Sequence, residues 1–440
     1  MAAIAAPRAA ARPAAASRRA EGPIVFALAF ALYFWAGYTL VVVDGVVASD
    51  ALDGLARAYM VWHNDPPKLA AIGFVAPPLT TVAYLPFALV KPLATSLVAL
   101  PLVSALFGAL MVVWVNRLLA RCSLQGVRRW ALLAAFALNP LIVFYAGSGM
   151  SNVIVSALLA LLLYALVSWL VTSQPRFLVV AALALPLLAL LRYSFIAWAG
   201  VLALLLVLRL RWRGASYAET EGTLVALLAP LLYALGVWAL FNGLIIGDVF
   251  GWVDAPAGPG ELTLRDALPA LIVCVAAVAW LHHALPRGRA LVWPLALAAL
   301  VAAGAWSWDA MQRSEHGERA FVQAVRGGTV AATTDAERAA ADYILGHVAG
   351  RAAIAADNAH SFGVILLTGR PELFLDRVDD GDGTFAKVIA DPAGDVRYLL
   401  AAKQPGDLIG MRYPTAAARE RAGLVAVYEN ERYILLRVSA

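Results

Sequence analysis

Val47-Ala48-Ser49-Asp50-Ala51-Leu52-Asp53, followed by Arg57, His63, Asp65 and Lys68, comes directly after the first membrane-length apolar run, residues 24–43. A charge beside hydrocarbon is costly to keep without a task, so ionisable groups clustered where a helix leaves the bilayer are the first place to look for chemistry. The surroundings decide the fold class. The chain is 62% hydrophobic and 14% charged, whereas soluble domains carry roughly 25% charged residues. That balance excludes a soluble globular enzyme and indicates a polytopic α-helical membrane protein.

Apolar runs of span length recur at 24–43, 104–119, 130–146, 153–170, 177–191, 194–208, 223–246, 267–285 and 290–308, about nine full spans, and then stop. Residues 1–22 are rich in Ala, Arg and Pro and read as a disordered cytoplasmic tail. The run behind them is too long for a signal-peptide core, so the first span is expected to be retained. With a cytoplasmic N-terminus, fourteen Lys and Arg of the first 308 residues fall inside and five outside, the bias that the positive-inside rule requires. The net charge of +5 is therefore explained by topology, and no nucleic-acid partner is expected. The acids divide the other way: Asp44, Asp50, Asp53, Asp65, Asp248, Asp254, Glu261 and Asp266 fall outside. This makes the outer face the candidate active side. Cys122 and Cys274 have no metal or disulfide spacing and read as packing residues.

Between the first two spans, residues 48–92 form a long external loop. Residues 77–90 are apolar but short and carry Pro77, Pro78 and Pro86, which suits a juxtamembrane or re-entrant helix. Residues 50–63 suit a second one, with Leu52, Leu55, Ala56, Tyr59, Met60 and Trp62 lying on the membrane interface, Asp50, Asp53 and Arg57 in water, and Ser49 as cap.

From residue 309 onward the balance inverts, with 18 of the 29 acids but 15 of the 34 bases. A helix over 336–348 and strands over 351–356, 372–375, 396–401, 424–429 and 433–438 predict a small extracytoplasmic α/β domain at 309–440, beyond a membrane domain at 23–308. The acidic run 376–383 lacks the alternation and closing glutamate of a calcium loop and reads as a solvated turn. His316, His347 and His360 lack metal spacing and read as structural.

The order of these features resembles the GT-C superfamily, integral-membrane glycosyltransferases that use polyprenyl-phosphate sugar donors. Asp50-Ala51-Leu52 and Ala56-Arg57-Ala58-Tyr59 match the acidic site after the family's first span. His63-Asn64-Asp65-Pro66-Pro67 and Pro77-Pro78-Leu79 are similar to the proline-bearing part of the same loop. Ser104 to Leu110 resembles the start of its second full span, and Asn139-Pro140, Tyr145 and Gly149-Met150-Ser151-Asn152 its second external turn, where relatives often carry an acid at the position of Asn152. Leu191-Arg192-Tyr193 is similar to a basic residue at an external helix break, and Asn242 with Gly247-Asp248 to the end of a later span. Many relatives have Asp-Glu at the key site, but here Ala51 follows Asp50, so a paired acid has to come from Asp53 or Asp65.

The resemblance implies a multi-pass enzyme of the cell inner membrane that moves a sugar from a polyprenyl-phosphate donor to an envelope glycan, lipid or protein acceptor, by an inverting route. A single carboxylate suffices as base for such a step, and Asp50, with Asp53 beside it, is the expected catalytic group. Arg192, Arg57 and Lys68 are expected to hold the donor phosphate, since guanidinium and ammonium groups meet that anion on the outer face. His63, Asp65, Asn152, Tyr193 and Asp248 are expected on the acceptor or around a divalent cation, Mg or Mn. Carboxylates in a first helical turn also simply complement the helix dipole, and interfacial arginines snorkel, so each residue has a structural reading too. A transporter or lipid flippase, or a non-catalytic envelope scaffold, is the alternative; against the former, the spans lack midplane acids and show no matching halves.

Overall fold

The computed structural model describes residues 14–74, 77–245, 247–252, 264–314 and 317–439, with side chains described from residue 20 onward apart from 286 and 377–382. Arg8, Arg12, Asp254, Glu261 and His316 lie outside the described residues. Helix α1 (Ala14–Gly37) runs on through a wider π-type turn, Tyr38–Val43. Of the tail expected at 1–22, residues 1–13 lie outside the described residues, and 14–22 belong to this helix. Glu21 accepts bonds from Asn116 Nδ2 at 2.7 Å and Arg129 at 2.8 Å, tying this end of the helix down.

The long external loop folds into α2 (Ser49–His63), α3 (Leu79–Ala88) and the short α4 (Lys91–Thr95). Then come α5 (Ala99–Arg121), α6 (Gly126–Ala137), α7 (Pro140–Gly147), α8 (Ser151–Thr172), α9 (Pro175–Ala189), α10 (Ser194–Trp212), α11 (Tyr217–Ile245), α12 (Leu264–Ala284) and α13 (Arg289–Arg313). Among the described residues seven helices are long and apolar enough to cross a membrane, and α6 with α7, bent by 59°, makes an eighth. The bend falls at Pro140, where Asn139 caps the new helix by accepting the Leu141 N–H at 3.0 Å. Of the nine spans expected, the one at 177–191 corresponds to α9, whose 15 residues reach only about 22 Å at 1.5 Å per residue, short of a hydrocarbon core roughly 30 Å thick.

Helices α5 and α8 form the centre, with 72% and 67% of their apolar windows buried, while α10 and α11 show theirs outward at 11% and 17%. An outward apolar face on a span needs no protein partner, because lipid solvates it. Where α1 meets α7, Gly37 and Gly147 let the backbones touch: a Cβ on Gly37 would lie 2.6 Å from the Gly147 Cα. Cys122 is buried, but Cys274 is exposed on α12, which corrects its reading as a packing residue.

Helix α2 departs from expectation in two ways. Its apolar face, with Leu52, Leu55, Ala56, Tyr59 and Met60, is buried under α3 and the C-terminal domain rather than laid on the membrane interface; Trp62 alone of that set is exposed. Protein offers the Tyr59 hydroxyl what hydrocarbon does not, an acceptor at the Gly369 carbonyl, 3.1 Å away. Ser49 is not the cap; Ala48 occupies that position and no side chain caps the helix.

After α14 (Gly317–Val325) and α15 (Asp335–His347), the C-terminal part alternates β1 (Ile354–Ala356), α16 (Asn358–Thr368), β2 (Phe374–Leu375), α17 (Arg377–Ala390), β3 (Tyr398–Ala402), α18 (Leu408–Arg412), α19 (Ala416–Arg421), β4 (Leu424–Glu429) and β5 (Tyr433–Val438). The sheet order is β2-β1-β3-β5-β4, with β1 parallel to both neighbours and β5 antiparallel to β3 and β4. Short runs such as Ile354-Ala355-Ala356, buried on both faces, are what a central parallel strand between helices requires. The acidic run at 376–383 mostly enters helix α17 instead of forming a solvated turn.

Candidate active site between the membrane helices and the C-terminal domain

The chain turns out of its first span at Gly45, whose φ of +68° a side chain rarely adopts. Glycine is needed there twice over, since a Cβ would lie 2.7 Å from the Ala332 Cβ. Thr333 then clamps the segment: its N–H donates to the Gly45 carbonyl at 3.0 Å, its hydroxyl donates to the Val47 carbonyl at 2.9 Å and accepts the Val47 N–H at 2.8 Å. Helix α2 starts two residues later. Its opening, and with it Asp50, is thus held by the chain that leads into the C-terminal domain.

Asp50, Asp53 and Arg57 share one face of α2 and line a cavity of about 910 Å³ that lies between the membrane helices and the C-terminal domain. Pockets for small molecules and cofactors measure roughly 300–1,000 Å³, so the space admits a sugar together with a phosphate. Within α2, Asp53 accepts from Arg57 Nε at 2.8 Å. A Cβ on Gly73, at φ +80°, would collide with the Arg57 guanidinium, so this glycine gives the side chain its berth.

Asp50 pairs with Arg265 at 2.7 Å, the two side chains being 59% and 36% exposed. The next residue, Asp266, accepts from Arg192 at 3.3 Å, and Arg192 also donates to Asn152 Oδ1 at 3.0 Å. Asn152 closes the circuit by donating to the Arg265 carbonyl at 3.5 Å. Asp50, Asn152 and Arg192, picked separately from sequence, are therefore joined through Arg265 and Asp266 in the first turn of α12. Sequence reasoning counted these two only among the outer charges. The signal was present: a cation in the first turn of a helix opposes its dipole, and such a residue is kept where an anion faces it.

Arg192 and Asn152, like the remaining expected site residues, do not line the cavity. Arg192 stands behind the wall, which Leu191 lines. Lys68 is half-buried and does not line the cavity. His63 bonds the Ala88 carbonyl at 3.0 Å and packs on the Tyr59 ring, whereas Asp65 pairs with Arg351, so the two do not meet as a base or metal pair. Tyr193 accepts from the Trp238 indole at 3.1 Å. Asp248 accepts the Phe250 N–H at 2.9 Å, a local turn. His360, read as structural from its spacing, instead lines the cavity from the C-terminal side. Among the described residues no three or more His, Cys, Asp or Glu come together as a metal-binding set. Among the described residues the Mg or Mn of the resemblance finds no ligand group at Asp50, and the carboxylates of Asp50 and Asp53 are each held by an arginine.

No protein-family model matches the chain. No curated protein matches it either. Among solved structures it is similar to ArnT from Cupriavidus metallidurans, a crystal structure bound to undecaprenyl phosphate, with a TM-score of 0.53 and 11% sequence identity over 97% of this chain and 99% of that one. The likeness spans the membrane helices and the C-terminal domain together, so the chain shares the fold of that structure.

Proposed function

We propose that the chain is a membrane glycosyltransferase that moves a sugar from a polyprenyl-phosphate donor to an envelope glycan, lipid or protein acceptor. One observation carries the reading: Asp50, paired with Arg265, lines a cavity of about 910 Å³ at the exit of the first span. A fold shared with a protein that binds undecaprenyl phosphate supports the donor class. The positive-inside bias, counted with α9 as a short crossing whose end brings Arg192 to the first turns of α8 and α12, supports a cavity and a C-terminal domain outside the inner membrane and an N-terminus in the cytoplasm.

In this reading the acceptor oxygen attacks the anomeric carbon while the Asp50 carboxylate takes its proton, and the bond from that carbon to the phosphate oxygen breaks with its electron pair going to the phosphate. Direct attack inverts the anomeric carbon and needs no second carboxylate as nucleophile. Asp53 keeps Arg57 turned along the wall, and Arg57 and Arg265 supply positive charge to the departing phosphate. Arg192 acts on the donor at one remove, by bracing the Arg265-Asp266 turn through Asn152 and Asp266.

The test is transfer by the purified chain in proteoliposomes, given polyprenyl phosphate carrying a labelled sugar and an envelope extract as acceptor. Label should move to the extract with equal release of free polyprenyl phosphate. No release above heat-inactivated protein, across a panel of sugars, would overturn the proposal.

A further inference from the structure

Across the cavity from Asp50, the C-terminal wall carries a carboxylate that no sequence motif assigned to chemistry. Thr334-Asp335-Ala336-Glu337 opens α15 with the spacing of a capping box, in which the glutamate turns back to the helix's own first N–H. The structure refuses that role. Thr334 is the cap residue but makes no side-chain cap bond, and its hydroxyl donates to the Gly45 carbonyl at 3.3 Å. Glu337 reaches away from the helix end into the cavity wall. There its Oε1 accepts from Arg432 at 2.8 Å and from the Tyr433 hydroxyl at 3.3 Å. Its Oε2 has no hydrogen-bond partner, although the side chain is only 8% exposed.

A carboxylate is an acceptor on both oxygens, and interior polar atoms are nearly always satisfied. One oxygen held and the other buried in the cavity wall without a donor is a half-filled arrangement that a ligand seated against this wall completes. Anions are excluded as that ligand by the charge itself. A divalent cation is disfavoured, because Arg432 already sits on the carboxylate and no ligand group of three gathers there among the described residues. What remains is a neutral donor. The same wall is lined by Phe362 and Tyr433, aromatic residues of the kind that flank a few placed polar groups in small-molecule sites.

We infer that Glu337, fixed by Arg432 and Tyr433, binds the hydroxyl groups of a sugar ring in the cavity, the ring being that of the donor or that of the acceptor. This rests on the glycosyltransferase reading. Glu337 does not act on the bond that breaks; it holds a ring opposite Asp50.

The experiment titrates the full-length chain in nanodiscs with a short-chain polyprenyl phosphate, bare or carrying each of several hexoses and pentoses, and separately with methyl glycosides while the bare lipid is saturating. Glu337→Gln keeps the shape and the Oε1 acceptor and removes the charge. It should weaken the sugar-bearing lipid (donor ring) or a methyl glycoside (acceptor ring) tenfold or more, with the bare lipid unchanged. Tyr433→Phe, which removes only a hydroxyl, should weaken the same ligand three- to fivefold and serves if the first variant does not fold. Wild-type affinity in both arms would overturn the inference. If the bare lipid fails to bind the wild-type chain, the donor reading falls; a methyl glycoside still lost on Glu337→Gln would leave the sugar-binding role of this carboxylate standing.

Discussion

Replacing Asp50 with Asn separates a chemical role from a structural one, because the two predict different magnitudes. Structurally the carboxylate has two tasks: it pairs with Arg265 and it sits in the first turn of α2. Both are weak where water is near. An ion pair whose members are 59% and 36% exposed falls in the class worth about 0.2–1 kcal/mol, and an acid at a helix N-terminus adds about 0.3–1 kcal/mol. Their sum limits the expected loss of stability to about 2 kcal/mol. Asparagine keeps one oxygen as acceptor, so the observed loss should lie below that. A positioned general base, in contrast, contributes about 10²–10⁴ in rate, which is about 2.7–5.5 kcal/mol of activation free energy. The assay pairs single-turnover transfer from labelled polyprenyl-phosphate sugar with chemical unfolding of the same preparation. Turnover should fall at least a hundredfold while unfolding shifts by less than 2 kcal/mol. Asp53→Asn, which frees Arg57 but leaves Asp50 in place, should cost less than tenfold. Turnover of the Asp50 variant within twofold of wild type would remove this residue from the mechanism.

Thr333→Val keeps the shape of the side chain but removes the hydroxyl that both accepts from and donates to Val47; leaving those buried backbone groups short of a partner should cost about 1–3 kcal/mol, read by unfolding, with turnover lowered and Thr333→Ser restoring both. A serine variant no better than valine would show that the clamp does not position Asp50. Asp407 gives the C-terminal domain a pH dependence of its own. Burial, opposed by hydrogen bonds from Gly410 and Ala402, pushes its carboxyl from 3.8 up to about 6, and its Oδ2 has no partner. Because the folded value is the higher one, the folded chain holds a proton that the unfolded chain has released between these two values. Stability therefore falls as pH rises through that window and is level above it. Two units correspond to at most about 3 kcal/mol. Asp407→Asn should accordingly stabilise the chain at pH 8 and leave it unchanged at pH 3.5, by unfolding at each pH; equal shifts at both would refute the linkage.

Much of the architecture is legible along the chain because it is local. Hydropathy over 20-residue windows marks the spans, since each must satisfy its own backbone in lipid. Short apolar runs between Gly, Pro and Asp mark the strands: 424–429 and 433–438 fall where β4 and β5 do. The loop helix at Asp50 is likewise readable from its own spacing. Its burial is not, because whether an apolar face meets lipid or protein depends on what else packs there, here α3 and α16.

Long-range pairing belongs to the tertiary structure alone. Asp50 meets Arg265 across 215 residues of sequence, Thr333 grips Val47 across 286, and Glu337 abandons a local cap for Arg432, 95 residues on. Nothing in the spacing of these residues encodes their meeting. Charges and hydroxyls have many possible partners of equal chemistry, and only the packed helices select among them. The sequence by itself determined that this chain spans the membrane many times, carries an α/β domain and gathers acids at the exit of its first helix. Only the folded chain decided which of those acids share a cavity, and with which arginines.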